Sequence, residues 1–147
     1  MGVIGEIVRV YLMGKYRAIN LPKNISEFLA LKPGETLKPI EVDIGKRTIL
    51  VKEPGPVKIV SGGKGRVKLL IPSDLGFNKN DKLLPIANQG KLILEKVDYY
   101  IVKPTISPNN YFRINIPWEL VKELGWIGAS LIKIKREGSK LILELIK

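Results

Sequence analysis

One short pattern occurs three times in the chain, and it restricts the fold more than any other feature of the sequence. Tyr16-Arg17-Ala18-Ile19-Asn20-Leu21-Pro22, Arg66-Val67-Lys68-Leu69-Leu70-Ile71-Pro72 and Tyr111-Phe112-Arg113-Ile114-Asn115-Ile116-Pro117 each place apolar side chains three and one residues before a proline. Such alternation describes a half-buried strand, one face in a core and the other in water. After Pro22, Asn24 and Glu27 have capping-box spacing, Ile25, Phe28 and Leu29 share a helical face, and Lys32-Pro33-Gly34 supplies the stop. Pro117 suits a first helical position, Leu120 and Leu124 share a face, and Gly125 can end that helix in a left-handed conformation. Ser73-Asp74-Leu75-Gly76 leaves room only for a degenerate turn. A hairpin then closes each copy: Leu37 through Gly45 to Thr48-Ile49-Leu50-Val51, Leu83 through Gly90 to Leu92-Ile93-Leu94, and Leu131 through Gly138 to Leu141-Ile142-Leu143.

The chain therefore divides into three units, 1–53, 54–97 and 98–147, each built as strand, short helix and hairpin. The expected fold class is mainly β with short helices. Ile, Leu and Val number 20, 19 and 11 against four alanines, a balance that favours strands. A unit of about fifty residues buries too little apolar surface to offset its chain entropy, so each needs cover from another. Two can pair within the chain, and the third is left over. The odd count predicts a homodimer in which the unpaired units of two chains complete a further barrel, six halves making three. The other outcome is a monomer whose third unit packs sideways on a finished barrel.

The chain carries 25 Lys and Arg against 14 Asp and Glu, and base exceeds acid in every third of it, so the folded body is basic and no tail accounts for the charge. Such a body attracts polyanions, nucleic acid first. The alternative is the lysine-rich solvated surface of a heat-adapted protein. Cysteine and histidine are absent, which removes their nucleophile and base chemistry, haem ligation and the usual zinc ligands. The carboxylates are scattered, with Glu41 and Asp43 alternating on a solvated strand face. No catalytic residue, cofactor or metal is expected, and the protein is not expected to be an enzyme. Ser61-Gly62-Gly63-Lys64-Gly65-Arg66 fails the P-loop spacing and reads as a loop between units, where Lys64 and Arg66 can touch phosphate. Tyr11, Tyr16, Tyr99, Tyr100, Tyr111 and Phe112 lie in or near first strands; exposed rings there can stack on unpaired bases, but strand placement favours burial in the core or in an interface, with Trp118 and Trp126 as packing anchors. There is no membrane-length apolar run and no signal-peptide pattern, so the expected location is cytoplasmic, on the nucleoid if the protein binds DNA.

Strand, proline, short helix, Lys32-Pro33-Gly34-Glu35 or its equivalent, then hairpin: this order resembles the AbrB/SpoVT swapped-hairpin (looped-hinge-helix) family of prokaryotic DNA-binding proteins. Gly5-Glu6-Ile7-Val8-Arg9-Val10, followed by Gly14-Lys15 and Leu21-Pro22, is similar to that family's N-terminal arm, and Arg113-Ile114-Asn115-Ile116-Pro117 to its most recognisable stretch. The resemblance covers nearly the whole chain as three tandem AbrB-like half-barrel repeats. It implies interlocked β-barrels and an electrostatic grip on double-stranded DNA by arginines of the arm, the pre-proline strand and the helix. The arm arginine falls on Arg9 and the pre-proline arginine on Arg113; Lys68 takes that place in the second copy. The first copy has Ala18 there, with Arg17 one step away and so on the opposite side of an ideal strand. The helix arginines have no match: Ser26 and Glu27 stand there in the first copy, Val121 and Lys122 in the third.

The expected function is accordingly a DNA-binding protein, a transcriptional regulator or nucleoid-associated protein, touching phosphate through Arg9, Lys15, Arg17, Lys64, Arg66, Lys68 and Arg113. The alternative is a protein-interaction or assembly module, antitoxin-like or scaffold, that keeps the fold without the helix arginines. Lys140 to Lys147 reads as a strand rather than the flexible toxin-binding tail of antitoxins with this fold.

Overall fold

A computed structural model describes residues 2–129 and 131–146. They fall into two compact units, 1–101 and 102–147. The division lies slightly past the expected 97/98 boundary, since Tyr100 is bonded back to Arg9 in the first unit.

The first unit is one antiparallel sheet of ten strands: β1 (Gly2–Ile4), β2 (Val8–Arg9), β3 (Tyr11–Met13), β4 (Tyr16–Asn20), β5 (Thr36–Asp43), β6 (Arg47–Val51), β7 (Val57–Gly63), β8 (Arg66–Ile71), β9 (Lys82–Asn88) and β10 (Lys91–Val97). Their order is β1-β9-β10-β6-β5-β7-β8-β4-β3, with β2 also on β9, and the sheet curls into a half-barrel. Each hairpin is thus inserted between strands from the other half of the unit. β5–β6 lies between β7 and β10, while β9–β10 lies between β1 and β6.

Corresponding positions of the two halves meet at two places. Ile19 opposes Leu69 in the β4–β8 ladder, and Ile49 opposes Ile93 in the β6–β10 ladder. The halves 1–53 and 54–97 therefore meet each other at equivalent positions in both ladders. Ile19, Leu21, Ile25, Leu37 and Leu50 from one half are buried with Ile59, Leu69, Ile71, Leu83, Leu92 and Leu94 from the other in a single cluster. Neither half has a core of its own, which is the outcome that chain length dictates.

The helices differ in detail from their sequence signals. Helix α1 spans Lys23–Phe28 and starts on Pro22, whose carbonyl accepts the Ile25 and Ser26 amides. Asn24 makes no cap; its side-chain amide donates to the Ile4 carbonyl at 3.2 Å. The helix stops before Lys32, at Ala30, which takes a left-handed φ of 52°. Ile25 and Ser26 face the core, leaving Phe28 outside, since six residues offer the core less than two turns. After Pro72 there is only a 3-10 turn, Ser73–Leu75. Ser61 to Arg66 is no loop between units: it is the end of β7 and the tight turn into β8. Val57 and Ile59 enter the core there, so the segment before Arg66 is paired as a strand.

The second unit holds β11 (Thr105–Ile106) against β12 (Phe112–Arg113), helix α2 (Trp118–Glu123), and the hairpin β13 (Ile132–Glu137) with β14 (Lys140–Leu145). Pro117 precedes α2 as its N-cap rather than occupying its first turn, and Gly125 ends it at a φ of 71°. None of the described residues in 102–146 is buried. Tyr111, Phe112 and Trp118 are exposed, Phe112 at 70%, so these aromatic residues do not pack into a core of their own unit. β12 ends at Arg113, where the corresponding β4 runs on through Ile19 and Asn20 along β8, because among the described residues β12 has no such second strand to pair with. Among the described residues no helix is long and apolar enough to cross a membrane.

Candidate nucleic-acid interface

Strand alternation sorts the side chains of β7, β8, β4 and β3 onto two faces. Val57 and Ile59 of β7 and Val67, Leu69 and Ile71 of β8 point into the core. Their neighbours Lys58, Val60, Lys68 and Leu70 therefore point outward. The register continues that outer face across the other two strands: Lys58 and Ala18 oppose Leu70, Val60 and Asn20 oppose Lys68, Tyr11 opposes Ala18, and Met13 opposes Tyr16. None of the four strands contains an Asp or Glu.

The cations and rings of this face are in contact. The Lys58 amine lies 5.3 Å from the centre of the Tyr16 ring, the Lys15 amine 5.6 Å from the same ring, and the Lys68 amine 5.8 Å from that of Tyr11. These separations are within cation–π range. The Tyr11 hydroxyl donates to Asn20 Oδ1 at 2.9 Å, fixing one ring of the set. Tyr16 reports the local potential: a hydrogen bond with the Lys58 amine, aided by the charges of Lys58 and Lys15, holds its phenol below the ordinary value. That is the shift expected where positive charge is concentrated.

Of the residues singled out from sequence, Lys15, Arg66 and Lys68 sit on or at the rim of this face, and Lys64 occupies the β7–β8 turn at its end. Arg17 does not share it. It opposes the buried Ile71 and donates Nε to the Phe77 carbonyl at 3.1 Å, so its role is to tie down the segment after the 3-10 turn. Arg9 lies elsewhere in the sheet, opposite Lys82, with its guanidinium on the Tyr100 hydroxyl at 2.7 Å and the Asn80 carbonyl at 3.3 Å. The Lys82 amine stands 4.1 Å from the centre of the Tyr100 ring. Arg113 belongs to the second unit, where it opposes Thr105.

Lys58 was not among the expected contacts, although its signal is present in the sequence. Val57-Lys58-Ile59-Val60 alternates as a strand does, and the lysine falls on the polar phase. Of the two placements expected for Tyr11 and Tyr16, core or interface, the core is taken by Val10 and Ile19, of opposite strand parity, and the two rings line the outer face. Among the described residues no three carboxylates gather where a metal ion could be held. In comparisons with known proteins the chain matches no family model, no curated sequence and no solved structure.

Proposed function

We propose that this chain is a non-enzymatic DNA-binding protein of the AbrB/SpoVT kind, a transcriptional regulator or nucleoid-associated protein, that grips duplex phosphate. The observation that carries this is the outer face of β7, β8, β4 and β3: four strands without a carboxylate, presenting Lys58 and Lys68 with Lys15 and Arg66 beside them. Two lysines on neighbouring strands, with a lysine and an arginine at the strand ends, spread charge over a surface, which suits a rod of regularly spaced phosphates better than a single small anion. Tyr11 and Tyr16 hold the amines in place and lower the ordering needed on contact. Contacts of this type fix position and orientation but read no bases, so binding tolerates sequence. The interaction-module reading draws on a different observation, the lack of any buried described residue in 102–146.

Titration of a labelled duplex at 50 and 200 mM salt tests the proposal. Four phosphate contacts give a slope of about −3.6 in log affinity against log salt, hence a loss of about a hundredfold over that range. Absence of binding at 50 mM salt would overturn it.

A further inference from the structure

Leu37-Lys38-Pro39-Ile40 in β5 and Leu83-Leu84-Pro85-Ile86 in β9 hold equivalent places in the two halves of the first unit, but only β9 is covered along its length. β2 pairs with β9 through Val8 opposite Leu83, and β7 pairs with β5 in the same way, through Val57 opposite Leu37. Beyond that point the halves part. β9 next receives β1, with Ile4 opposite Ile86, Val3 opposite Ala87 and Gly2 opposite Asn88, while the Gly5 amide donates to the Pro85 carbonyl at 2.9 Å. On β5 the ladder with β7 stops at Leu37, and among the described residues no strand lies beside Pro39 to Asp43 on that side. The chain itself explains the difference. Gly2 to Ile7 supply β1 and its connection to β2, whereas Lys52 to Pro56 are used up in passing from β6 to β7 and include two prolines.

The uncovered stretch is apolar and acidic by turns. A bulge after Pro39 sets Glu41 opposite Ile49 and Val42 opposite Thr48, the places that Ile86 and Ala87 take opposite Ile93 and Leu92. Val42 thus stands where β9 has Ala87, yet Ala87 is fully buried beside Val3 and Val42 is 41% exposed. Glu41 and Asp43 occupy the other phase of the strand. Both are exposed, and neither carboxylate makes a hydrogen bond or ion pair among the described residues. An edge of this kind offers backbone N–H and C=O groups that can extend a sheet, and its two acids turn phosphate away.

We infer that the Pro39–Asp43 edge of β5 is a docking site for an extended segment of a partner protein in which basic and apolar residues alternate. The seat of β1 on β9 fixes how that segment lies. It runs antiparallel to β5, with a basic residue opposite Asp43, an apolar residue opposite Val42 and a second basic residue opposite Glu41. The amide after these donates to the Pro39 carbonyl, as that of Gly5 does to Pro85. Backbone bonds supply the affinity, and the opposed charges with the apolar pair between them supply the recognition. This docking does not depend on DNA binding.

The probe is a blocked, fluorescent peptide, Val-Lys-Val-Lys-Gly, added to the full chain and followed by anisotropy. It is expected to bind, and to bind the Glu41→Lys, Asp43→Lys double variant about tenfold more weakly, since two opposed charge pairs are turned from attraction to repulsion. The charge-exchanged peptide Val-Glu-Val-Glu-Gly is expected to prefer the double variant over the unaltered chain. Glu144→Lys, on the exposed β14, is expected to change neither result. Exposed charges contribute little to stability, so the thermal midpoint of the double variant should hold. If it does not, a second test avoids charge altogether. The chain has no cysteine, and Val42→Cys is expected to form a mixed disulfide with a peptide carrying cysteine at its central position, because opposed residues of antiparallel strands lie within the Cα separation a disulfide needs. Absence of peptide binding, equal binding to the chain and the double variant, or a loss caused by Glu144→Lys instead would overturn the inference. So would linkage of Val42→Cys to a second copy of itself in preference to the peptide, which would give the edge to this chain.

Discussion

Ile19 and Leu69 oppose each other across the β4–β8 ladder, each three residues before its own proline and each with no exposed surface. The same position of a repeated pattern therefore meets itself at the centre of the first unit. A cavity opened there is shared by both halves and cannot be closed by the movement of one. Ile19→Ala and Leu69→Ala are each expected to cost about 2–5 kcal/mol of unfolding free energy. In the double variant the losses are expected to depart from additivity by about 0.5–3 kcal/mol, as for residues in direct contact. Urea unfolding of the four proteins in the cycle measures both quantities. Strict additivity would mean that the two side chains do not share one packing site.

A second stability prediction concerns Ala30. It occupies the position after helix α1 at a φ of 52°, its amide on the Glu27 carbonyl and the next amide, Leu31, on that of Ser26. Gly125 stands in the corresponding place after α2, at a φ of 71°, with its amide on Lys122 and that of Trp126 on Val121. The bonds are the same in both, but alanine bears a Cβ that the left-handed conformation disfavours. Ala30→Gly is expected to stabilise the first unit by up to about 1 kcal/mol, less the extra entropy glycine brings to the unfolded chain. Calorimetry should show the midpoint rise by a few degrees; a fall would place the balance with the unfolded chain.

The strands, hairpins and proline positions were legible because periodicity and turn residues are local signals. Which units interlock was not, since the pairing of β6 with β10 joins residues far apart in sequence and depends on the shape of the closed sheet. The capping-box spacing of Asn24 and Glu27 was misleading for a physical reason: Pro22 starts the helix, and Asn24 bonds the carbonyl of Ile4, a residue no local rule connects with it. Arg17 could be placed away from Lys68 by strand parity alone, and it lies there. Lys58 is missed because the repeat pattern of the second copy starts only at Arg66, which leaves Val57 to Val60 without an assigned strand and its alternation unused.

The lowered Tyr16 pKa gives DNA binding a pH dependence. A phenol held below its ordinary value by the Lys58 hydrogen bond ionises earlier as pH rises, and its negative charge then opposes phosphate on the same face. Affinity is expected to fall from neutral pH toward pH 10, and Tyr16→Phe is expected to remove part of the fall because its ring cannot ionise. The two proteins differ only in that hydroxyl, so the difference between the two curves isolates Tyr16. Fluorescence anisotropy with a labelled duplex at fixed ionic strength provides the curves. Superimposable profiles would place Tyr16 outside the contact surface.

The two kinds of basic side chain in the first unit separate binding from folding. Lys58 and Lys68 project from the outer face, and Lys58→Ala with Lys68→Ala removes two phosphate contacts from the proposed four. The salt slope should flatten by about 1.8, so that the loss between 50 and 200 mM falls from about a hundredfold to about tenfold. Exposed lysines contribute little to stability, and the thermal midpoint should stay nearly unchanged. Arg17 is the opposite case: its Nε bonds the Phe77 carbonyl on the inner phase of β4. Arg17→Ala should cost about 0.5–1.5 kcal/mol through that lost bond while leaving the salt slope as it was. Arg9→Ala, which breaks the bond to Tyr100, and Arg113→Ala, in the second unit, complete the series as the two arginines matching the family's pattern. A slope that responds to Arg9 or Arg113 but not to Lys58 and Lys68 would move the DNA contact off the β7, β8, β4 and β3 face.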